Sequence, residues 1–222
     1  MRYAQIPSSL FIKNRQNFTA KMEPNSIAIL TSNDVMPNNA DDEMGFSQNN
    51  DLFYLSGVDQ EESILVLYPD AALPANREIL FVKETSELIK IWEGDKLTKE
   101  KAFEVSGVKN VKWLQDFDLT LQYMAFEADT FYLGHNEHKK TLTSEMLTQQ
   151  DRMIVKCKEK YPLHNYRRAA KITRELRQIK SEEEIALMQQ AANISVGGFK
   201  RVLKAVKPEM MEYELEAELT YE

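Results

Sequence analysis

Three sets of side chains in this sequence have types and spacings that could support chemistry. His135 and His138, in GHNEHKK, have the H-x-x-H spacing that can bring two imidazoles to one side of a turn, where they could hold a metal ion. The stretch is neither H-E-x-x-H nor H-x-x-E-H, and it follows an apolar strand in a turn bearing Gly and Lys, where solvated histidines are common. Cys157 and His164 have the types of a thiolate–imidazole pair. Cys157, however, falls in KCKEK at the end of an amphipathic run with no cysteine-hydrolase pattern around it, and reads as an ordinary helix residue. Asp41, Asp42 and Glu43 offer oxygens suited to a hard cation but lack EF-hand spacing, and read as solvated loop carboxylates. There is no Walker A run, G-x-G-x-x-G or G-x-S-x-G elbow to support nucleotide binding or serine hydrolysis.

With 222 residues, 43% hydrophobic and 28% charged, the chain has a globular composition and room for one ordinary domain plus a remainder. Cys157 is the only cysteine, so the chain holds neither an internal disulfide framework nor a Cys-cluster metal site, which fits a cytoplasmic protein. The opening MRYAQIPSSLFIKNRQ lacks the apolar core of a secretory signal, and no apolar run approaches the roughly 18 residues that cross a bilayer. A net charge of −7 argues against broad attraction to nucleic acid or anionic membrane, and neither is expected as a partner.

The elements that must position these residues follow from periodicity and punctuation. Pro7-Ser8-Ser9 ahead of Leu10, Phe11, Asn14, Phe18 and Met22 predicts a capped amphipathic helix, and Pro24-Asn25 a turn into a strand at 26–31. SNDVMPNNADDEMGFSQNN predicts a long surface loop. LFYLSG (52–57) and SILVLYP (63–69), joined by VDQEE, read as the two strands of a hairpin, and REILFVK (77–83) as a third strand. TSELIKIWEG and TKEKAFEVSG read as short helices, the second closed by Gly107. VKW reads as a strand, QDFDLTLQYMAFEA as a helix, DTFYLG as a strand, and SEMLTQQDRMIVKCKEKY as a helix closed by Pro162. Helices alternating with short buried strands predict an α/β fold, a mixed β-sheet flanked by helices on both faces.

A boundary is expected between Pro162 and Ser181. Ser181 and Glu184 form an S-x-x-E capping box, and Ile185, Met188, Ala192, Val196, Phe199, Leu203 and Val206 follow at the spacing of one buried helix face. Gly197-Gly198 inside that helix costs about 1 kcal/mol each, which predicts a kink or a close backbone approach. A further helix begins in MMEYELEAELTYE. Two helices cannot form a core alone, so a larger partner domain is expected. From Ser181 onward there is no His, Asp or Cys.

Four segments, taken together, carry a family resemblance. QNNDLFYLSGVDQEESILVLYPD resembles the N-terminal domain of the aminopeptidase P family, in the creatinase/prolidase superfamily. IKIWEGDKL resembles its W-x-G segment, ELRQIKSEEEIALMQQAANIS the junction that opens its pita-bread catalytic domain, and KPEMMEYELEAEL the next turn and helix. The motifs occur in the family's order over nearly the whole chain. The resemblance implies an N-terminal domain over 1–175, with the linker and first helices of a truncated α+β catalytic domain over 176–222.

By that resemblance, the complete protein is an Xaa-Pro aminopeptidase, releasing the N-terminal residue from peptides with proline second. It uses two divalent ions, commonly manganese, held by two Asp, one His and two Glu. All five ligands are expected beyond Glu222, so no catalytic or metal-binding residue is assigned and the chain alone is expected to be inactive. The resemblance also implies a homo-oligomer assembled through the N-terminal domain. Trp92 matches a tryptophan that helps wall the substrate pocket of a neighbouring subunit, where a flat aromatic suits a proline ring. Read without the family, Trp92 is equally a partly buried core residue. Ser47 stands where relatives often carry Arg, which bears on assembly contacts. An Xaa-Pro dipeptidase and a non-catalytic protein-binding relative are the alternative functions.

Overall fold

A computed structural model of the chain describes residues 5–138 and 146–221. Two compact units emerge, Met1–Arg177 and Gln178–Glu222. Among the described residues, the first is built on six strands: β1 (Ser26–Thr31), β2 (Ile64–Leu67), β3 (Glu78–Val82), β4 (Asn110–Trp113), β5 (Thr130–Leu133) and β6 (Asn165–Arg168). They lie in the order β4-β3-β2-β1-β5-β6. β2 is antiparallel to both neighbours, and the other pairs are parallel. The sheet is therefore mixed, with the carboxyl ends of β1, β3 and β4 and the amino end of β2 along one edge.

Side chains alternate between two apolar layers, as the period of a strand requires. Ile27, Ile29, Ile64, Val66, Ile79, Phe81 and Phe131 enter one layer. It is covered by Phe117, Leu121 and Met124 of α5 (Phe117–Ala125) and by Met153 and Cys157 of α6 (Gln149–Lys160). Ala28, Leu30, Leu65, Leu67, Leu80 and Val82 enter the other, beneath Phe18 of α1 (Ser8–Thr19), Leu52 and Leu55 of α2 (Asn50–Ser56), Ala102 of α4 (Lys99–Ser106), and Ala169 and Ile172 of α7 (Ala169–Gln178). The four inner strands β1, β2, β3 and β5 are buried on both sides, so their apolar runs in the sequence are nearly continuous.

Arg15 joins the helices of the second layer. Its side chain is fully buried, donating from Nε to Glu78 (3.0 Å) and from Nη1 to the carbonyls of Leu55 (2.8 Å) and Ser106 (2.9 Å). Those carbonyls belong to the last turns of α2 and α4, where the helix dipole leaves partial negative charge. The two ends have the same construction. Ser56 and Ser106 donate back to Leu52 and Ala102, and accept from the amides of Val58 and Val108. Gly57 and Gly107 follow at φ +69° and +73°. A Cβ at Gly57 would fall 2.2 Å from the Phe11 ring, and one at Gly107 2.6 Å from Ile12, so glycine is required by both φ and space.

The sheet and its covering helices agree with the sequence expectation, but the hairpin at 52–69 does not. Residues 50–56 form α2, a helix, rather than a strand. Asn49 caps it, its Oδ1 accepting from the amides of Asp51 and Leu52, and Gly57 ends it. Leu52, Leu55 and Val58 are buried at the three-residue spacing of a helix face, which a run this short conceals. Pro7 precedes α1 without a side-chain cap. α6 begins at Gln149 under a Thr148–Asp151 capping box; Ser144 and Glu145, also expected in that helix, lie outside the described residues. β6 was not anticipated: NYRR is an exposed, basic edge strand with no apolar signal.

The second unit is a helix pair, α8 (Glu182–Ala205) and α9 (Glu212–Thr220). The Ser181–Glu184 capping box is present. Gly198 is where the helices meet, since a Cβ there would lie 2.8 Å from the Leu219 side chain and 3.2 Å from its carbonyl. Ile185, Met188, Val196, Phe199, Leu203 and Val206 remain exposed.

Replacing Arg15 with Met should destabilise the first unit by about 3–5 kcal/mol, because Glu78 and two helix-end carbonyls lose a buried donor. Asn49→Ala should cost about 1 kcal/mol through the α2 cap. Urea unfolding of the chain followed by circular dichroism measures both.

Candidate functional site

A cleft of about 810 Å³ opens at the sheet edge where β1, β3 and β4 end and β2 begins, the edge at which open α/β sheets hold their ligands. Ser32, Ile64, Lys83 and Leu114 from those strand ends line it, with Gln149 and Arg152 from the start of α6. Its lining has six carboxylates (Asp34, Asp41, Glu43, Glu61, Glu62 and Glu93) against three basic groups (Lys83, Lys96 and Arg152), so it is acidic overall.

Each basic group is held by a carboxylate. Lys83 bridges Glu62 (2.8 Å) and Glu93 (2.7 Å), and its hydrogen bonds to both raise its pKa well above the usual lysine value. The bond from Lys83 lowers that of Glu93 in turn. Lys96 pairs with Glu61, and the amide of Leu97 beside it donates to Gln60 Oε1 (2.6 Å). Arg152 pairs with Asp34, which also accepts from the Gln149 amide at the first turn of α6 (2.8 Å). Glu62 adopts φ +49°, a left-handed conformation that costs about 1 kcal/mol or more in a residue other than glycine, placed where the bridge forms.

Trp92 stands on the cleft wall, in α3 (Glu87–Glu93). It is 82% exposed, so it is not a core residue. Leu88 and Ile91 of the same helix are 66% and 75% exposed, and no residue of α3 is buried. The described lining contains neither His nor Cys, and all its basic groups are paired. The cleft therefore presents a broad aromatic surface beside paired charges.

The other candidates lie elsewhere. His135 Nδ1 is 3.1 Å from Asp151, and the His138 amide donates to Asn136 Oδ1. Burial tends to raise the Asp151 pKa, but bonds from Thr148 and interaction with His135 outweigh it and leave it lowered. Asp42 is tied into its own loop by the amide and side chain of Asn38. Among the described residues, no group of three His, Cys, Asp or Glu is placed to hold a metal. His164 Nε2 lies 2.8 Å from the Ala125 carbonyl, and its ring packs against Phe131. Cys157 is buried in the layer under α6, where desolvation pushes its thiol up to about 11.

Comparison with known proteins decides the lineage. Residues 11–132 match the family model described as "Aminopeptidase P, N-terminal domain". The chain belongs to this family. It is 26% identical over 224 residues to the Xaa-Pro aminopeptidase of Escherichia coli K12, a match covering 99% of this chain and 49% of the relative. A Bacillus anthracis structure assigned as an aminopeptidase P is 27% identical with a TM-score of 0.87, covering 97% of this chain and 51% of that one. A zinc-substituted E. coli aminopeptidase P solved with product has the same fold at 24% identity and a TM-score of 0.80, covering 98% and 49%. The chain thus spans about half the length of the relatives it matches.

In this aminopeptidase P domain, the Q-N-N-D motif has a structural role. Gln48 donates to the carbonyls of Val58 and Gln60 and accepts from the Asn49 amide, Asn49 caps α2, and Asp51 accepts from Thr173 and Arg177 of α7. Ser47 gives its carbonyl to Asn33 Nδ2. The cleft's ion pairs were not legible in sequence, because each joins segments that only the sheet brings together.

With a pKa of about 11, the Cys157 thiol is about 0.1% thiolate at pH 8. It should resist iodoacetamide in the folded chain and react readily once the chain is unfolded in urea, which mass spectrometry of the labelled protein reads directly.

Proposed function

We propose that this chain is the N-terminal, non-catalytic part of a dinuclear-metal Xaa-Pro aminopeptidase that releases the N-terminal residue from peptides with proline second. The observation that carries this reading is alignment to an Xaa-Pro aminopeptidase over 99% of the chain, running through both units. In this reading residues 1–175 are the N-terminal domain, and 176–222 are the linker and first helices of the catalytic domain. The exposed apolar face of α8 is covered by the rest of that domain. The curated relatives that support the reading are named Xaa-Pro aminopeptidases, which favours an aminopeptidase over a dipeptidase or a binding module.

The metal pair, manganese by family resemblance, does not fit the residues present here. The second unit has glutamates but no Asp, His or Cys, and no three metal-binding side chains converge among the described residues. The ligands are therefore assigned to sequence outside this chain, as is the peptide-bond chemistry. What this chain supplies is shape and assembly. Trp92, exposed on α3, walls the substrate pocket of a neighbouring subunit in a homo-oligomer formed through the N-terminal domain. Among the described residues, no helix is long and apolar enough to cross a membrane. A cytoplasmic setting is proposed on the lone free cysteine.

The purified 222-residue chain should show no manganese-dependent cleavage of an Xaa-Pro tripeptide; cleavage would end the assignment of all ligands elsewhere. In the complete enzyme, Trp92→Ala should lower kcat/KM for such a tripeptide by about tenfold, the loss of one partly buried aromatic contact. Wild-type kinetics in that variant would remove Trp92 from the substrate wall.

A further inference from the structure

α3 carries Trp92 but has no anchor in the core. Its residues are intermediate or exposed, and its large apolar side chains Leu88, Ile91 and Trp92 face solvent. Burial normally fixes a helix of seven residues, because its internal hydrogen bonds alone do not. Two sets of contacts replace it. At the entry, Ser86 caps the helix by accepting from the Ile89 amide. At the exit, Lys83, in the residue directly after β3, binds Glu93, the last residue of the helix and the neighbour of Trp92. The same ammonium is held from the opposite side by Glu62, in the turn that leads into β2. Lys83 thus stands between the rigid sheet and the only residue of α3 that reaches it by an ion pair among the described residues.

We propose that Lys83 is a positioning residue for Trp92: its bridge between Glu62 and Glu93 fixes the end of α3 to the sheet edge and so sets where the indole is presented. This rests on the reading of Trp92 as part of a substrate wall, and it adds a residue that no motif singled out. The bridge is partly solvated, with Lys83, Glu62 and Glu93 side chains 28%, 50% and 42% exposed. It is therefore a weak, salt-sensitive latch rather than a buried strut. A latch of this strength biases α3 toward one pose and still allows it to adjust against a partner surface.

Trp92 and Trp113 are the only tryptophans, so Trp113→Phe leaves Trp92 as the sole indole, which red-edge excitation reads apart from the nine tyrosines. In that background at low ionic strength, Lys83→Met should release the indole, shifting the docked population roughly two- to fivefold, the range an exposed ion pair supplies. Time-resolved anisotropy reads this as faster local depolarisation. Lys83→Arg should restore the slow component, and about 1 M salt should bring the Lys83 protein to the Lys83→Met value, since the screening length falls to about 3 Å. An unchanged decay in a folded Lys83→Met protein, or no response to salt, overturns the proposal.

The complete enzyme separates this inference from the reading beneath it. Lys83→Met should raise KM for an Xaa-Pro tripeptide two- to fivefold at unchanged kcat, with rescue by Lys83→Arg. If Trp92→Ala is kinetically silent while Lys83→Met still frees the indole, the substrate-wall reading fails and the positioning role stands. If Trp92→Ala impairs cleavage but Lys83→Met changes neither motion nor KM, the positioning role fails.

Discussion

Arg15 places a guanidinium where water does not reach, and one layer of the first unit is arranged around that charge. Desolvation pulls its pKa down while Glu78 pushes it back up. The charge is tolerable because two helix C-termini point their carbonyls at it. α1 supplies the arginine, α2 and α4 supply the carbonyls, and β3 supplies Glu78 from the sheet. Removing any of these contributors leaves a buried polar group facing nothing, which costs more than the bond itself contributes. One donor, Nη2, already lacks a hydrogen-bond partner among the described residues.

That arrangement accounts for a repeated local pattern. L-S-G-V at 55–58 and V-S-G-V at 105–108 are two copies of one helix ending, with a serine closing the turn, a glycine at positive φ, and a valine entering the core. Phe11 and Ile12 of α1 press on the two glycines, and Arg15 lies one turn further along the same helix. The packing of α1 thus fixes the directions of α2 and α4 together. Gln48 and Asn49 then attach the long loop to the start of α2, so the loop that borders the cleft inherits its position from the arginine layer.

The contrast between the interior and the cleft edge is one of burial. Within the layers, apolar contact and fully enclosed hydrogen bonds hold each element in one place. At the sheet edge, α3 is held by ion pairs open to water, each worth about 1 kcal/mol or less. An element intended to meet another molecule benefits from that difference, because its apolar face stays available and its pose can adapt. The second unit shows the same condition more strongly, with a capped helix whose apolar residues are exposed.

Sequence alone determined the alternation of strands and helices, the capping box at Ser181, the glycine ending of α4, the close approach at Gly198 and, through four ordered motifs, the family. These are local properties, set by spacing, caps and backbone freedom within a few residues. Tertiary structure decided that LFYLSG is a helix, because its short apolar run from Leu52 to Leu55 fits either period until Asn49 and Gly57 are seen at its two ends. It decided that NYRR is a strand, since an edge strand gains its order from β5 rather than from its own side chains. It also decided that Trp92 faces outward and that Lys83 meets both Glu62 and Glu93, because 62, 83 and 93 become neighbours only when β2 and β3 pair.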